Sequence, residues 1–150
     1  MSLEEKINQD IKQAMLSREK DKLEALRAIK TALLVAKTEK GASDSMSEDA
    51  EIKILQRLVK QRKESATIFE DKNRKELAQK EWFEASIIEK YLPEQMSEEE
   101  VKLVIKKIIE QTGAESMADM GKVMGMAQKE LAGKADGKMI ANTVKSSLSK

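Results

Sequence analysis

At 150 residues the chain is long enough to bury a core of its own, either as one domain or as two small ones. It contains no cysteine and no histidine, so a disulfide framework, a thiol nucleophile, a thiolate metal site and the commonest general base are all excluded, and no metal or cofactor is expected. The 28 basic and 27 acidic residues nearly cancel, to a formal charge of +1. The abundance of Ala, Leu, Glu, Lys and Met, with no β-branched or aromatic runs between turn signals, predicts an all-α protein.

The N-terminal MSLEEKINQD is acidic and lacks an apolar signal region, and no run approaches the roughly 18 apolar residues of a membrane span. A cytoplasmic protein with no membrane contact is therefore expected. A first helix is predicted from Leu3 to Ser17, on a stripe of Leu3, Ile7, Ile11, Ala14 and Met15. A second should run from Lys22 to Lys40 and stop at Gly41, and Gly41 to Ser47 reads as a small polar loop. Ser45-x-x-Glu48 offers a capping box for a long third helix to Asp71. After a turn at Asp71-Lys72-Asn73, a fourth helix should reach Tyr91.

On helical wheels, at about 100° per residue, Arg27, Lys30 and Lys37 fall on the arc of Leu23, Leu26, Leu33 and Leu34. Arg62 falls among Leu55, Leu58 and Phe69, while Glu81 and Glu84 share the arc of Leu77, Ile88, Tyr91 and Leu92. Two readings are open. The charges form inter-helix ion pairs, paired to offset desolvation, or some of the bases line a groove for a polyanion. The window Ile52 to Lys63 holds Lys53, Arg57, Lys60, Arg62 and Lys63 without one acid, which suits an anionic partner, although solvated lysine faces on helices are the commoner explanation of such a run. Trp82 and Phe83 point to the two flanks of the fourth helix and are expected to anchor it between neighbours, which leaves no stacking platform for bases.

Pro93, the only proline, lacks an N–H and disfavours helix at Leu92, and Ser97 to Glu100 reads as a capping box. This divides the chain into a four-helix domain, 1–92, a hinge, 93–97, and a smaller three-helix domain, 98–150. The fifth helix carries Val101, Val104, Ile105 and Ile108 on one face and ends at Thr112-Gly113. Ser116-x-x-Asp119 caps the sixth, with an inner stripe of Met117, Met120, Met124, Ala127 and Leu131. Beside that stripe lie Gly121 and Gly125, with Lys122 and Lys129 beyond. Two glycines four apart expose backbone, either to another helix or to an approaching RNA or protein chain. Gly133 should end the sixth helix and Asp136 cap the seventh, whose inner face is Ile140, Val144 and Leu148. The turn Gly133-Lys134-Ala135-Asp136-Gly137-Lys138 lacks the spacing and the preceding strand of a phosphate-binding loop.

Several of these stretches, in this order, carry a family resemblance. Leu26-Arg27-Ala28-Ile29-Lys30, Ala36 to Gly41, Lys60 to Ser65, Tyr91-Leu92-Pro93, Gly121 to Gly125 and Gly133 to Lys138 resemble the YqeY proteins of the GatB/YqeY family across nearly the whole chain. The C-terminal part is similar to the tail domain of the GatB subunit of tRNA-dependent amidotransferase, a type of domain also appended to some glutaminyl-tRNA synthetases. The resemblance implies a tRNA-binding accessory protein, associated with carbon–nitrogen ligation that takes its nitrogen from glutamine. It assigns no catalytic residue here, because the amidase-like Ser-Ser-Lys chemistry and the phosphoryl-transfer site of that system lie in parts this chain lacks. Ser146-Ser147 has neither the Gly/Ser-rich setting nor a placed lysine.

The resemblance points to Gly121, Lys122, Gly125, Lys129, Lys134, Gly137, Lys138 and Lys145 as the RNA-binding set, with lysines on phosphates and glycines admitting backbone. Arg27, Lys30, Lys37, Lys60, Arg62 and Lys63 are secondary basic candidates. An adaptor that docks its N-terminal helices and Met126 on an aminoacyl-tRNA synthetase or amidotransferase is the alternative. An amidotransferase-type enzyme is weighed against by the missing histidine, cysteine and carboxylate cluster.

Overall fold

The computed structural model describes residues 2–39 and 46–149, and all regular structure among them is helical. The helices are α1 (Leu3–Leu16), α2 (Lys20–Glu39), α3 (Glu48–Asp71), α4 (Lys75–Glu89), α5 (Glu98–Thr112), α6 (Met120–Glu130) and α7 (Gly137–Leu148), with a 3-10 turn at Met117–Asp119. None is long and apolar enough to cross a membrane. The chain forms two compact units, Met1–Leu92 and Pro93–Lys150.

Local chemistry fixes most of the boundaries. Ser2, Ser97 and Ser116 each accept from a backbone N–H in the turn that follows, and Glu5, Glu100 and Asp119 reach back to complete capping boxes. The predicted stop at Lys40-Gly41, the loop through Ser45 and the Ser45 cap lie outside the described residues. The cap observed for α3 is Ser47, whose Oγ accepts from the Ala50 N–H. The α3–α4 turn is closed by Asn73 in the left-handed region, at φ 62. At its far end α4 tightens into 3-10-type bonds from Lys90, Tyr91 and Leu92 to Ile87, Ile88 and Glu89, so the helix stops two residues before the predicted Tyr91, ahead of Pro93.

In the first unit, Ile7, Ala25, Leu26, Ile29, Leu33, Leu55, Leu58, Ile87 and Ile88 make the core. The helices α3 and α4 pack as an antiparallel hairpin, as their cross-links show: Arg62 faces Glu84, Lys63 faces Glu89 and Glu70 faces Trp82. The buried face of α2 is Ala25, Leu26, Ile29 and Leu33, and Leu34 stands exposed. The expected arc thus holds at Leu26 and Leu33 and, partly buried, at Leu23, but misses at Leu34, while Ala25 and Ile29 complete the buried face. Met15 in α1 is likewise exposed, past the edge of the stripe that Ile7 and Ala14 bury.

Trp82 and Phe83 qualify a further expectation: neither is buried between neighbours, at 39% and 43% exposed, and Trp82 is tied to α3 through its N–H to Glu70. The helix inserts Ala78, Glu84, Ala85, Ile87 and Ile88 instead. The alanines on that face allow close approach to α3, and the two rings are left on the outer side.

The second unit packs Val101, Ile105, Ile108, Val123, Ala127, Leu131, Ile140, Val144 and Leu148 into a separate core. Gly113 ends α5 in a left-handed conformation, at φ 70. Met117 is exposed because it lies on the 3-10 turn and not on α6, so the predicted stripe fails at its start and Val123 takes the buried place. The stretch 93–97, expected as a hinge, is fastened within this unit. Gln95 Nε2 donates to the carbonyls of Gly133 and Pro93, at 2.7 and 2.8 Å, and the Met96 N–H donates to Lys134 at 2.8 Å.

Candidate nucleic-acid interface

The helix α6 has two chemically opposite sides. Val123 and Ala127 point into the core. At about 100° per residue, Gly121, Gly125, Lys122 and Lys129 occupy the arc diametrically across from them. All four are exposed. A Cβ built at Gly121 or Gly125 meets no heavy atom within 4 Å, so among the described residues of this unit none crowds the glycines. Backbone is left open to whatever comes from outside.

The electrostatics of this face favour an anion. No carboxylate lies on the arc, and neither Lys122 nor Lys129 has a carboxylate within ion-pair distance among the described residues. The nearest acid to act on Lys122 is Asp119. Its carboxyl is held below its ordinary value first by the N–H groups of Glu115 and Ser116, and then in small part by Lys122. Asp119 is therefore committed to its cap, and Lys122 remains free to meet a second anion.

The remaining tail candidates sit on the next two elements. Lys134 is exposed on the turn after α6. On α7, Lys138 and Lys145 lie seven residues apart on one side, about 10 Å along the axis, opposite Ile140, Val144 and Leu148. Gly137 opens the helix and has nothing near its Cβ position. Lys138 also borders an open groove of about 430 Å³ with Lys102, Asn142 and Ser146 and with the carboxylates of Glu98 and Asp136. The structure thus groups the tail residues as one strip on α6 and another on α7. Among the described residues, no hydrogen bond or ion pair ties one strip to the other.

The secondary candidates in the first unit divide differently. Arg62 is largely buried, with Nε 3.4 Å from Glu84 Oε2, and Lys63 lies 2.9 Å from Glu89. Lys37 is 3.9 Å from Glu4. These three serve as inter-helix ion pairs. The Arg62 Nε is at ion-pair distance from its partner but lacks hydrogen-bond alignment, and Glu84 is pushed above the ordinary carboxyl value because burial outweighs the pull of Arg62.

Arg27 and Lys60 stand exposed, without an ion pair among the described residues. Lys30 borders a cavity of about 190 Å³ with Lys37, Glu4 and Glu51 over a floor of Ile7, Leu33, Leu34 and Met46. Two cations and two carboxylates leave that cavity without a net preference for an anion. At the end of this unit Tyr91 donates to Asp10, and Lys6 lies 5.6 Å from the ring centroid. Burial, and then Asp10, raise the Tyr91 phenol. No group of three or more acidic side chains suited to a metal ion occurs among the described residues.

Residues 4–148 match the family described as Yqey-like protein. No curated protein sequence matches the chain.

Proposed function

The chain belongs to the Yqey-like protein family, and on that footing we propose that it is a tRNA-binding accessory protein, working alongside tRNA-dependent amidotransfer and holding tRNA by its phosphates. The observation that carries this reading is the outer face of α6, where two glycines with open space above them stand beside two lysines and no acid. Glycine there lets a sugar–phosphate chain reach the helix surface, and the lysines meet its charge. Lys138 and Lys145 on α7, and Lys134 before it, extend the same chemistry. The similarity of the C-terminal part to the GatB tail supports the choice of tRNA. Contacts of this kind position an RNA without reading its sequence.

Binding of total tRNA to the full chain, followed across a salt series, tests the proposal. If Lys122, Lys129, Lys138 and Lys145 each neutralise one phosphate, the log–log slope should approach about −3.6. Each of Lys122→Ala and Lys138→Ala should flatten it by about 0.9. Undetectable binding at low salt, or a slope the substitutions leave alone, rejects the reading. The adaptor alternative is favoured by the exposure of Met126 and Leu103. It predicts capture of an aminoacyl-tRNA synthetase or amidotransferase that weakens on Met126→Asp.

A further inference from the structure

The solvent face of α4 carries a second arrangement that the tail does not share. At about 100° per residue, Lys75, Gln79, Trp82, Phe83, Ser86 and Lys90 fall within one arc about 100° wide, facing away from the core. All six are exposed, and the arc contains no carboxylate. Its acidic neighbours on α4 are Glu89, which is bonded to Lys63, and Glu76, just past the Phe83 edge; from α3, Glu70 reaches the Trp82 edge and is bonded to the indole N–H. The two rings occupy the edges of the arc, the two lysines its ends, and two uncharged polar side chains its middle.

We propose that this face of α4 is a stacking site for an unpaired segment of single-stranded nucleic acid, with Trp82 and Phe83 as the platforms and Lys75 and Lys90 as the phosphate contacts. Trp82 is held ready for this. Its indole N–H donates to Glu70 Oε1 at 2.7 Å, from α3 to α4, so the ring is fixed by the fold and its polar group is already satisfied. What it offers outward is ring surface. Glu70 and Asp71 near the α3–α4 turn oppose a phosphate there, and Lys72 and Arg74 beside Lys75 offset them.

The spacing also fits. From Lys75 to Lys90 is about 22 Å of helix, and the rings lie near its midpoint. A docking helix of another protein would need a continuous apolar stripe, but Gln79 and Ser86 separate these rings. Planar bases fit isolated rings, and the Gln79 amide can bond a base edge. Base–aromatic stacking of this kind is tolerant of sequence. This inference goes beyond the tail reading, since it lies in the other unit and rests on different chemistry.

Trp82 is the only tryptophan, so its fluorescence reports this face alone. The experiment is titration of the full chain at low salt with an oligoadenylate of eight nucleotides, an abasic oligomer of equal charge and an RNA duplex. The oligoadenylate should quench Trp82 saturably, and the other two should not. Phe83→Ala and Lys75→Ala should each weaken the titration, the first by about tenfold, with melting and far-UV dichroism unchanged. Phe83→Ala leaves Trp82 in place as the reporter, so the comparison does not depend on a variant that loses the Glu70 bond.

Quenching that survives Lys122→Ala and Lys138→Ala supports the α4 site, and it does so even where those substitutions leave tRNA binding unchanged and the tail reading falls. Oligomer binding by anisotropy with Trp82 fluorescence unmoved and Phe83→Ala silent overturns the α4 site and leaves the tail reading standing. Equal response to the abasic oligomer overturns stacking. Binding of no oligomer, with a protein partner lost on Phe83→Ala, assigns the face to protein docking and overturns the proposal.

Discussion

Arg62 and Glu84 form the most deeply buried ion pair among the described residues. Both sit in the α3–α4 contact, with side chains 20% and 11% exposed, and removal of one leaves the other with its desolvation uncompensated. Arg62→Ala should destabilise the protein by about 3 kcal/mol at neutral pH, measured by urea unfolding. The double change Arg62→Met with Glu84→Leu should cost far less, because no charge is then stranded. Glu84 binds its proton more tightly folded than unfolded. Its contribution to stability is therefore full below the ordinary value of 4.5 and is lost as pH rises through the elevated one. Wild type should lose stability relative to Glu84→Gln across that window, and a parallel pair of pH profiles would show that burial is not shifting the group. This pair was legible in the sequence, since Arg62 interrupts an apolar arc between Leu58 and Phe69 and an acid does the same in the next helix. The aromatic face of α4 was not. Large rings at helix flanks read as anchors, and only the close packing through Ala78 and Ala85 turns them outward.

Among the elements, α6 is where stability and function pull against each other. Gly121 and Gly125 occur inside a helix, where glycine is about 1 kcal/mol less favourable than alanine, and the structure has space for a Cβ at both. Gly121→Ala and Gly125→Ala should each raise stability by up to about 1 kcal/mol by thermal melting, while tRNA binding weakens because the backbone is no longer reachable. Stability gained with affinity unchanged would remove the backbone-approach argument and leave the lysines to carry the contact alone. The caps show what kind of element boundary a sequence exposes. Ser97 with Glu100 and Ser116 with Asp119 are short-range patterns whose hydrogen bonds are closed within one turn, and both were readable. Ser97→Ala should cost about 1 kcal/mol. At α3, two serines two apart compete for the cap, and the pattern alone favoured Ser45 over Ser47. The start of α6 misled for a related reason, since the 3-10 turn at Met117–Asp119 advances faster around the axis than the 3.6 period assumed for Met117.

For the whole molecule, the decisive fact is that the two apolar cores share no residue. One gathers Leu26, Ile29, Leu55 and Ile88, the other Val101, Ile105, Val123 and Val144. The boundary was legible because one proline followed by one capping box must end a helix and start another; the open face of α6 was legible only as a spacing, since its emptiness depends on where every other helix goes. Separate cores imply separate losses. Ile105 is fully buried, and Ile105→Ala should destabilise the second unit by about 2–5 kcal/mol, enough to unfold much of so small a domain. Trp82 belongs to the first unit and reports its unfolding alone. The expected result is a far-UV transition that splits, one part moving to lower temperature, while the Trp82 fluorescence transition stays where it is in wild type. Leu26→Ala should do the reverse. If Ile105→Ala moved the Trp82 transition by a similar amount, the units would unfold as one cooperative body, and tRNA held by the tail would then stabilise the α4 face through mass action on the whole fold.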